Sequence, residues 1–421
     1  MKKVLFLTIA LLTAFFSDGQ FLSEFYKKGA VILEEDVTFG TKNNWKELFS
    51  DIGATRDQGM DGKNKNIVVA PDGTVYMSHR SRHSISLFDK NGNFVKEFGK
   101  KGGKESDFVY MPTVIGIMDG KYLATYAVDG RMLLFDLNGT WVKTVKLDFM
   151  PLDNAILKDG KVAILGHTSW TNKTRRFVAI KDLNSGESRI IWDQFQPHDN
   201  PQNIIVKNKS GGMSSTSLPF THPGLTWPRL LTTPDSNLAL VFPETGDVRI
   251  YSSSGKEVKS YKVNAGERLK ISQQDREAYY NNALKRIQDL EKMKSDKPMD
   301  EKQKGNLQST IDQLKEQVKK YLDESLYPGQ LPALSQVMFD SDNNLLVFSF
   351  TKEKDQNRFF VYAYDHQGQQ VAESSFSCDK YKLDFSRSKF VFYHGKVIAV
   401  QRMKDEKEEV PVRLVRFNLK N

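Results

Sequence analysis

The chain has 421 residues, of which 39% are hydrophobic and 11% aromatic, so it has enough apolar side chains to bury a large core. Its formal net charge is +9 at pH 7, and its lysines are spread along the chain without a long basic block. Nucleic-acid binding requires a clustered basic surface, so this charge predicts a solvated surface instead. Cys378 is the single cysteine, which excludes an intramolecular disulfide and a cysteine-based metal cluster.

The N-terminus has the pattern of a cleavable signal peptide. Met1–Lys3 supplies the positive start, Val4–Phe16 the apolar run, and Ser17–Gly19 the small and polar cleavage region. We predict cleavage after that glycine, which divides the chain into a signal peptide at 1–19 and a mature chain at 20–421. Neither the apolar run nor any later stretch is long enough to cross a bilayer, so we predict no transmembrane segment. The expected location is the periplasm, with secretion outside the cell as the alternative.

An apolar strand, a turn residue pair and a second apolar strand recur six times along the chain in the same order. The first copy has turns at Asp72-Gly73 and Asn91-Gly92, and the second has turns at Asp119-Gly120 and Asn138-Gly139. The last turns of these two copies are 47 positions apart. A period of this length with four short strands per unit is typical of propeller blades, so we predict an all-β, six-bladed β-propeller.

The ends and the turns of the repeat give two further expectations. The sixth copy stops after the strand Val412–Phe417 and lacks a fourth strand. Proteins usually cover an open sheet edge, so we expect an N-terminal strand, near Val31–Leu33 or Val37–Phe39, to close the ring. The Asn-Gly and Asp-Gly pairs predict two-residue hairpins, in which both central residues have positive φ.

The connections of the repeat lie on two opposite faces of the predicted ring. The turns between first and second and between third and fourth strands are short, and their side is termed the turn face. The connections between second and third strands and between blades form the loop-rich face, which carries two insertions, Gln194–Pro228 and Asn264–Leu334. Loops of this length in a compact domain are usually functional or mobile, so we predict that the loop-rich face is the working surface.

The second insertion, residues 264–334 between blades four and five, has a helical pattern. Apolar side chains recur at helical spacing over 272–294 and over 300–324, and the break Ser295–Met299 contains a proline. This pattern predicts an α-helical hairpin, termed the arm, that projects over the disc. Its role as a self-packed lid, a partner-binding element or an oligomerisation element stays open.

Histidine, arginine and tryptophan side chains on the loop-rich face are the candidate binding residues. Three of the histidines, His79, His167 and His222, are also candidate ligands for a divalent metal at the channel mouth, because neutral imidazole binds zinc. Their spacing matches no metal motif, so we predict no cofactor. The binding-face candidates are His79, Arg80, Arg82, His83, His167, Trp170, His222 and Trp227.

The first blade resembles an NHL-type repeat. The similarity is carried by Ile67–Tyr76, Ile85–Phe94 and Phe98–Gly102. Across nearly all of the mature chain, the sequence resembles the secreted six-bladed β-propeller proteins of Bacteroidota. The resemblance implies a six-bladed propeller and an envelope location. The family pattern would place an Asn-His-Arg triplet before the third strand, whereas this chain has Arg80–Ser84 there, so that part of the match is incomplete.

Two functions fit these observations. The first is a noncatalytic binding or scaffold propeller of the envelope that engages a protein, peptide or glycan through the loop-rich face and the arm. The alternative is a metal-dependent hydrolase or lyase with its site at the propeller channel mouth. The sequence has no Gly-x-Ser-x-Gly elbow, glycine-rich phosphate loop or His-Glu-x-x-His motif, so it assigns no catalytic residue. Nucleic acid is not an expected partner, and the oligomeric state stays open.

Overall fold

A computed structural model describes the protein over residues 22–49, 65–79, 82–110, 112–127, 129–147, 149–169, 173–197, 202–207, 213–219, 227–296, 298–350, 358–405 and 410–421. Within these ranges, no helix is long and apolar enough to cross a membrane. The predicted signal peptide lies outside the described residues.

Strands dominate the described part of the chain. In chain order they are β1 Val31–Glu35, β2 Lys65–Val69, β3 Val75–His79, β4 Ser84–Phe88, β5 Phe94–Phe98, β6 Pro112–Met118, β7 Tyr122–Ala127, β8 Arg131–Asp136, β9 Trp141–Lys146, β10 Met150–Ile156, β11 Lys161–Ser169, β12 Lys173–Asp182, β13 Ser188–Pro197, β14 Asn203–Lys207, β15 Met213–Ser217, β16 Arg229–Thr232, β17 Leu238–Val241, β18 Asp247–Tyr251, β19 Glu257–Lys262, β20 Gln336–Phe339, β21 Leu345–Phe348, β22 Arg358–Tyr364, β23 Gln370–Ser377, β24 Tyr381–Lys382, β25 Phe390–Tyr393, β26 Lys396–Met403 and β27 Val412–Lys420. The helices are α1 Leu22–Tyr26, α2 Trp45–Phe49, α3 Gln273–Asp296 and α4 Glu301–Gln317, followed by two 3₁₀ helices, Val318–Leu322 and Glu324–Leu326.

Most strands belong to antiparallel sheets in which four successive strands pair in chain order. Four such sheets are β2–β5, β6–β9, β10–β13 and β16–β19. A nine-stranded sheet has the order β20-β21-β22-β23-β1-β27-β26-β24, with β25 paired to β26, and β14 pairs with β15. The protein is therefore an all-β, propeller-like fold built from four small blade sheets and one large curled sheet.

The N-terminal strand β1 completes the large sheet. It pairs antiparallel with β27, where Ile32 faces Lys420 and Glu35 faces Phe417, and it pairs parallel with β23. Of the two segments expected to cover the last edge, the first therefore forms the strand. Phe39 of the second segment is buried in a core cluster shared with the first blade sheet.

The short turns are of two kinds, where the sequence predicted one. Asp119-Gly120 and His394-Gly395 have positive φ at both residues, as two-residue hairpins require. In Asn91-Gly92 only the glycine has positive φ, and the pairing shifts register before the turn. The Asp89 carboxylate accepts the Asn91 amide, which favours a type I turn closed by a glycine bulge. The two-residue prediction is wrong for this turn, for Asn138-Gly139, which has the same pattern, and for Asp72-Gly73, where again only the glycine has positive φ.

The glycines of these outer turns also allow close packing between neighbouring sheets. A Cβ on Gly92 would lie 2.5 Å from the ring of Phe39, which is held in the core. A Cβ on Gly139 would likewise lie 2.6 Å from the ring of Phe98 at the end of β5. Glycine is therefore needed at Gly92 for the approach of a neighbouring ring as well as for the positive φ.

The second strands of the sheets form the core because they are covered on both sides. Every residue of β3, β17 and β21 is buried, whereas most residues of the outer strand β5 are exposed. The largest cluster contains Phe348, Phe376, Phe385 and Phe390, whose successive ring centroids lie 4.6 to 6.0 Å apart. These buried rings supply much of the apolar area that stabilises the large sheet.

The arm lies between β19 and β20 in the chain. Its helix α4 begins with a capping box, in which the Asp300 side chain accepts the Gln303 amide at 2.7 Å. The sequence predicted that this helix would reach residue 324, but α4 ends at Gln317 and the chain continues as the two 3₁₀ helices. Between α3 and α4, Ile287, Ile311 and Val318 form a separate small core.

The two insertions of the loop-rich face are bound to each other. Gln317 of α4 donates to the Ile205 carbonyl at 2.6 Å and accepts the Ile205 amide at 3.0 Å. One helical turn earlier, Gln313 makes the same pair of bonds to Lys207, both at 2.8 Å. The two side chains therefore pair with the edge of β14 as a neighbouring strand would, which ties the hairpin β14–β15 to the arm.

Candidate functional site

A cavity of about 1080 Å³ lies at the centre, where the first strands of the sheets meet. Its wall contains residues of β2, β6, β10, β16, β20 and β25. These strands begin on the loop-rich side, so their first residues mark the end of the cavity that faces the loops. Leu218, Pro219 and Trp227 of the first insertion also line the cavity. The cavity is therefore the place where the central strands and the loop-rich face come together.

Leu218 connects this cavity to the arm. It is buried together with Ile204 of β14 and Tyr327, and Tyr321 and Leu326 pack against the same cluster. The segment at the cavity mouth is thus anchored by apolar contacts to the elements that follow α4. The cluster therefore forms a continuous apolar contact between the arm and the cavity wall.

Three charged side chains line the cavity within the part of the chain that the structure describes. Asp153 lies on β10, Arg229 is the first residue of β16, and Arg387 precedes β25. Arg387 forms an ion pair with Asp153 and donates to the Asn154 carbonyl at 3.0 Å, while the second carboxylate oxygen of Asp153 accepts the Leu230 amide at 3.2 Å. Two guanidinium groups and one carboxylate give the described residues of this lining one positive charge in excess.

Arg229 differs from Arg387 in its surroundings. Its Nε is buried and has no hydrogen-bond partner among the residues that the structure describes. Burial lowers the pKa of Arg229 from its ordinary value; Asp153 opposes this shift, and Arg387 adds to it. A guanidinium group stays protonated in proteins at neutral pH, so Arg229 still carries its charge.

Trp227 and His167, two of the predicted binding residues, lie on either side of a third side chain, Arg176. His167 on β11 is directly opposite Arg176 on β12, and the Arg176 guanidinium lies 4.1 Å from the Trp227 ring centroid. Burial and, second, the charge of Arg176 lower the pKa of His167 from 6.5. The imidazole is therefore neutral at pH 7, and its buried Nδ1 has no hydrogen-bond partner within the described ranges.

The other described candidates lie at the connection between β3 and β4. His79 is fully buried, and its Nε2 is hydrogen-bonded to the Ser86 hydroxyl at 2.7 Å. Arg82 donates to the Glu47 carbonyl at 2.5 Å, and His83 adopts a positive φ of 58° in the turn. His79 is therefore enclosed within its blade sheet, and these three side chains do not line the cavity.

The remaining candidates, Arg80, Trp170 and His222, lie outside the described residues, and their roles stay predictions. The same holds for the proposed metal site, because only His79 and His167 of its three ligands are described. In the part of the chain that the structure describes, no three His, Cys, Asp or Glu side chains form a group that could hold a metal ion.

A smaller cavity of about 300 Å³ shares Gln336 and Ser386 with the central one. Of its described lining residues, the one that is charged is Asp384, which binds Lys389 at 2.8 Å. Although burial acts to raise it, the pKa of Asp384 is held below its ordinary value by the hydrogen bonds from Lys389 and Ser386. The charge in this cavity is thus already compensated, in contrast to the central cavity.

Sequence reasoning missed Arg176, Arg229 and Arg387. Arg229 and Arg387 stand at or just before the first strand of a blade, next to Pro228 and between two serines. Because every first strand faces the channel, the residues at these starts could have been compared across the six copies. That comparison would have singled out two arginines among otherwise mostly uncharged positions.

No family model matches the chain, and no curated protein matches it. Among solved structures, it is similar to a presumed exported protein of Bacteroides fragilis, with 11% identity, a TM-score of 0.46 and coverage of 87% of this chain and 92% of the other. A member of the DUF4221 family from Bacteroides vulgatus has 12% identity, a TM-score of 0.41 and coverages of 85% and 92%. Regucalcin, a calcium-binding protein of Agrobacterium tumefaciens, has 8% identity, a TM-score of 0.40 and coverages of 84% and 88%. Because these identities and TM-scores are low, the fold is assigned from the observed sheets, and the function is inferred from the side chains of the cavity.

Proposed function

We propose that this protein is an exported, noncatalytic binding propeller that takes a protein, peptide or glycan ligand at the loop-rich end of its central cavity. The observation that carries the proposal is the cavity itself, which is about 1080 Å³ in volume and is bordered by Leu218, Pro219 and Trp227 of the first insertion. Concave sites with mainly apolar walls and a few convergent polar groups are typical of ligand binding.

Six blades belong to the same proposal. The strands β20–β23 repeat the pattern of the four separate blade sheets, and β25, β26, β27 and β1 pair in the order expected of a last blade closed by the N-terminus. We therefore interpret the nine-stranded sheet as blades five and six, joined through the pairing of β1 with β23. Residues 264–334 would then be an insertion between blades four and five.

The arm is proposed to hold the cavity mouth in place. Gln313 and Gln317 bind the backbone of β14, and the apolar cluster around Leu218 and Tyr327 continues from there to the cavity wall. Direct contact between the arm and a partner is a further part of the proposal. Deletion of 272–324 separates the two roles, because a folded ring that keeps its partner would show that the arm does not bind it.

The location is proposed from the sequence. A signal peptide at 1–19 would bring the mature chain 20–421 to the periplasm, or outside the cell as the alternative. N-terminal sequencing of the protein from each fraction tests both steps. A mature chain that begins at Gln20 in the periplasmic fraction is the expected result, and an uncleaved chain in the cytoplasm would overturn it.

No specific observation supports the alternative function, a metal-dependent hydrolase or lyase. One of its three ligands, His222, lies outside the described residues, and His79 is enclosed in a blade sheet. Analysis of the purified mature chain for bound divalent metal tests this alternative directly. A stoichiometric metal that disappears in a His222→Ala variant would favour it over the binding propeller.

Capture from envelope extracts tests the binding function. The mature chain would be immobilised beside Trp227→Ala, which alters the cavity mouth, and His366→Ala, which alters an exposed turn on the opposite face. We expect a ligand that is retained by the wild-type chain and His366→Ala and lost with Trp227→Ala. Equal retention by all three, or retention of nothing, would contradict a ligand site at the loop-rich end of the cavity.

A further inference from the structure

We propose that the ligand carries a carboxylate group and that Arg229, assisted by Arg387, binds this group inside the central cavity. The inference rests on the proposed function, because it places the ligand in the same cavity. It adds the chemical class of the group that is recognised and the side chains that recognise it.

The first step is the division of charge in the cavity. Among the described residues of the lining, Asp153 is the one acidic side chain, and its carboxylate is occupied by the Arg387 guanidinium and the Leu230 amide. It also lies near enough to Arg229 to act on it, but a single carboxylate cannot neutralise two guanidinium groups. One positive charge in the lining is therefore left for a ligand.

The second step is the burial of Arg229. Its Nε has no hydrogen-bond partner among the described residues, and burial already disfavours its charged form. Removing a charge from water is costly unless an opposite charge and hydrogen bonds replace the lost hydration. A ligand anion seated against Arg229 would supply both, so the cavity is electrostatically suited to one.

The third step identifies the anion. A guanidinium group presents parallel N–H donors that fit the two oxygens of a carboxylate in a bidentate pair. A carboxylate carries one negative charge, which matches the single excess positive charge of the lining. A phosphate monoester carries closer to two at pH 7 and would leave uncompensated negative charge beside Asp153.

The rest of the cavity wall suits the body of such a ligand. Val114, Leu152, Leu231 and Met338 supply apolar surface, and Thr113 supplies a hydroxyl. These groups do not distinguish an acidic sugar, a peptide C-terminus and an aliphatic acid. The shared chemistry is the carboxylate, and the experiment separates the three sources.

The test is calorimetric titration of the mature chain with three carboxylate probes and their neutral counterparts. The pairs are glucuronate and glucose, N-acetylalanine and N-acetylalaninamide, and hexanoate and hexanamide, with inorganic phosphate as a further arm. We expect saturable binding of at least one carboxylate and binding at least about tenfold weaker for its neutral counterpart. The pair that responds identifies the source of the carboxylate.

Variants assign the binding to Arg229. We expect Arg229→Gln to weaken the responding carboxylate at least about tenfold and Arg229→Lys to weaken it less, because Lys keeps the charge without the bidentate geometry. Arg189→Gln is the matched control, since Arg189 is exposed on the outer strand β13. Arg229→Gln is used in preference to Arg387→Gln because the latter would leave Asp153 without its ion-pair partner. Unchanged unfolding midpoints would confirm that the variants remain folded.

Four results would overturn the inference. The first is equal affinity of Arg229→Gln and the wild-type chain for the responding carboxylate, and the second is equal affinity of the wild-type chain for a carboxylate and its neutral counterpart. The third is tighter binding of phosphate than of any carboxylate, and the fourth is no saturation by any carboxylate up to about 10 mM. If neutral probes bound and this binding were lost in Trp227→Ala, the proposed binding function would stand, and only the recognition of a carboxylate would be refuted. Failure of the binding function itself would instead appear as the absence of any binding, of a carboxylate or a neutral probe, that depends on Trp227.

Discussion

The turn face is organised by contacts between residues close in sequence, whereas the loop-rich face is organised by contacts between residues far apart. On the turn face, Asp89, Asp136 and Asp365 each accept the backbone amides of residues two and four positions ahead, all at 2.8 or 2.9 Å. Each turn therefore carries its own hydrogen-bond acceptor, and the same local sequence gives the same turn in three different sheets.

On the loop-rich face, the stabilising contacts join separate parts of the chain. Gln317 binds Ile205, which is 112 positions away, and Arg387 binds Asp153, which is 234 positions away. Neither pair is visible as a local pattern, because each partner looks like an ordinary surface residue in its own segment. The comparison teaches that the conformation of the turn face is determined by residues close in sequence. The loop-rich face, which carries the proposed site, is held by contacts that form only when the sheets come together.

The turn at Asn91-Gly92 has both a local hydrogen-bond acceptor and a close approach of a residue distant in sequence, so it offers the strongest test. Gly92 and Gly120 both have positive φ, but only at Gly92 would a Cβ meet another side chain, the ring of Phe39 from the closing segment. We expect Gly92→Ala to lower the free energy of unfolding by about 3 kcal/mol and Gly120→Ala by about 1 kcal/mol, since only the first adds overpacking to backbone strain. Urea unfolding of both variants measures the difference, and equal losses would show that the turn face is purely local.

The second test separates the arm from the ring. We expect Gln317→Ala to expose the Ile205 amide and carbonyl, a local loss of about 2 kcal/mol that accelerates amide hydrogen exchange at Ile205 by more than tenfold. Exchange in β3 should not change, because the apolar clusters that contain its residues include no residue of the arm. Gln308→Ala is the matched control, since Gln308 of the same helix bonds only within the arm, to Lys294 and Asp312. Unchanged exchange at Ile205 would contradict the pairing of the helix with β14.

Much of the ring could be predicted from the sequence, because strand order and turn position depend on local patterns. Counting strands predicted an N-terminal closing strand at Val31–Leu33 or Val37–Phe39, of which the first forms it, and the turn positions followed from Gly and Asx pairs. The bulged geometry at Asn91-Gly92 was missed because it depends on the acceptor at Asp89 and on how the third and fourth strands twist. Residue identity at the turn does not by itself select between the two turn types.

The candidate site could be predicted only in part. Trp227 was expected on the binding face and lines the cavity, but Arg229 and Arg387 carry no motif and meet Asp153 only when the first strands converge. Charged residues at strand starts usually face solvent, so each arginine looks ordinary in its own segment, and only a comparison across the six copies would have selected the two. Arg229 and Arg387 become part of a charged cavity lining only when the first strands of the sheets come together.

The third prediction concerns the equivalence of the turns. Asp136→Ala removes the acceptor for the Asn138 and Thr140 amides and should lower the free energy of unfolding by about 1 kcal/mol. Asp365→Ala removes the same two bonds from another sheet and should have the same effect within about 0.5 kcal/mol. Chemical denaturation of both variants provides the measurement. A clear difference between them would show that sheet context, rather than the local acceptor, determines the stability of these turns.

The smallest expected effect is a pH dependence at the ring closure, where β1 leaves the last strand. Burial acts to raise the pKa of Asp36, but hydrogen bonds from Thr38 and the contact with Arg416 outweigh it and lower the pKa from 3.8 to about 2. A carboxyl group whose pKa is lower in the folded state stabilises the fold above its unfolded pKa, and this contribution is lost as the pH falls from 3.8 towards about 2. Urea midpoints measured across that range should fall less steeply in Asp36→Asn than in the wild-type chain, while the exposed control Glu24→Gln should follow the wild-type slope. Parallel slopes in Asp36→Asn and the wild-type chain would mean that the backbone pairing of β1 with β27, rather than the ion pair between Asp36 and Arg416, holds the closure.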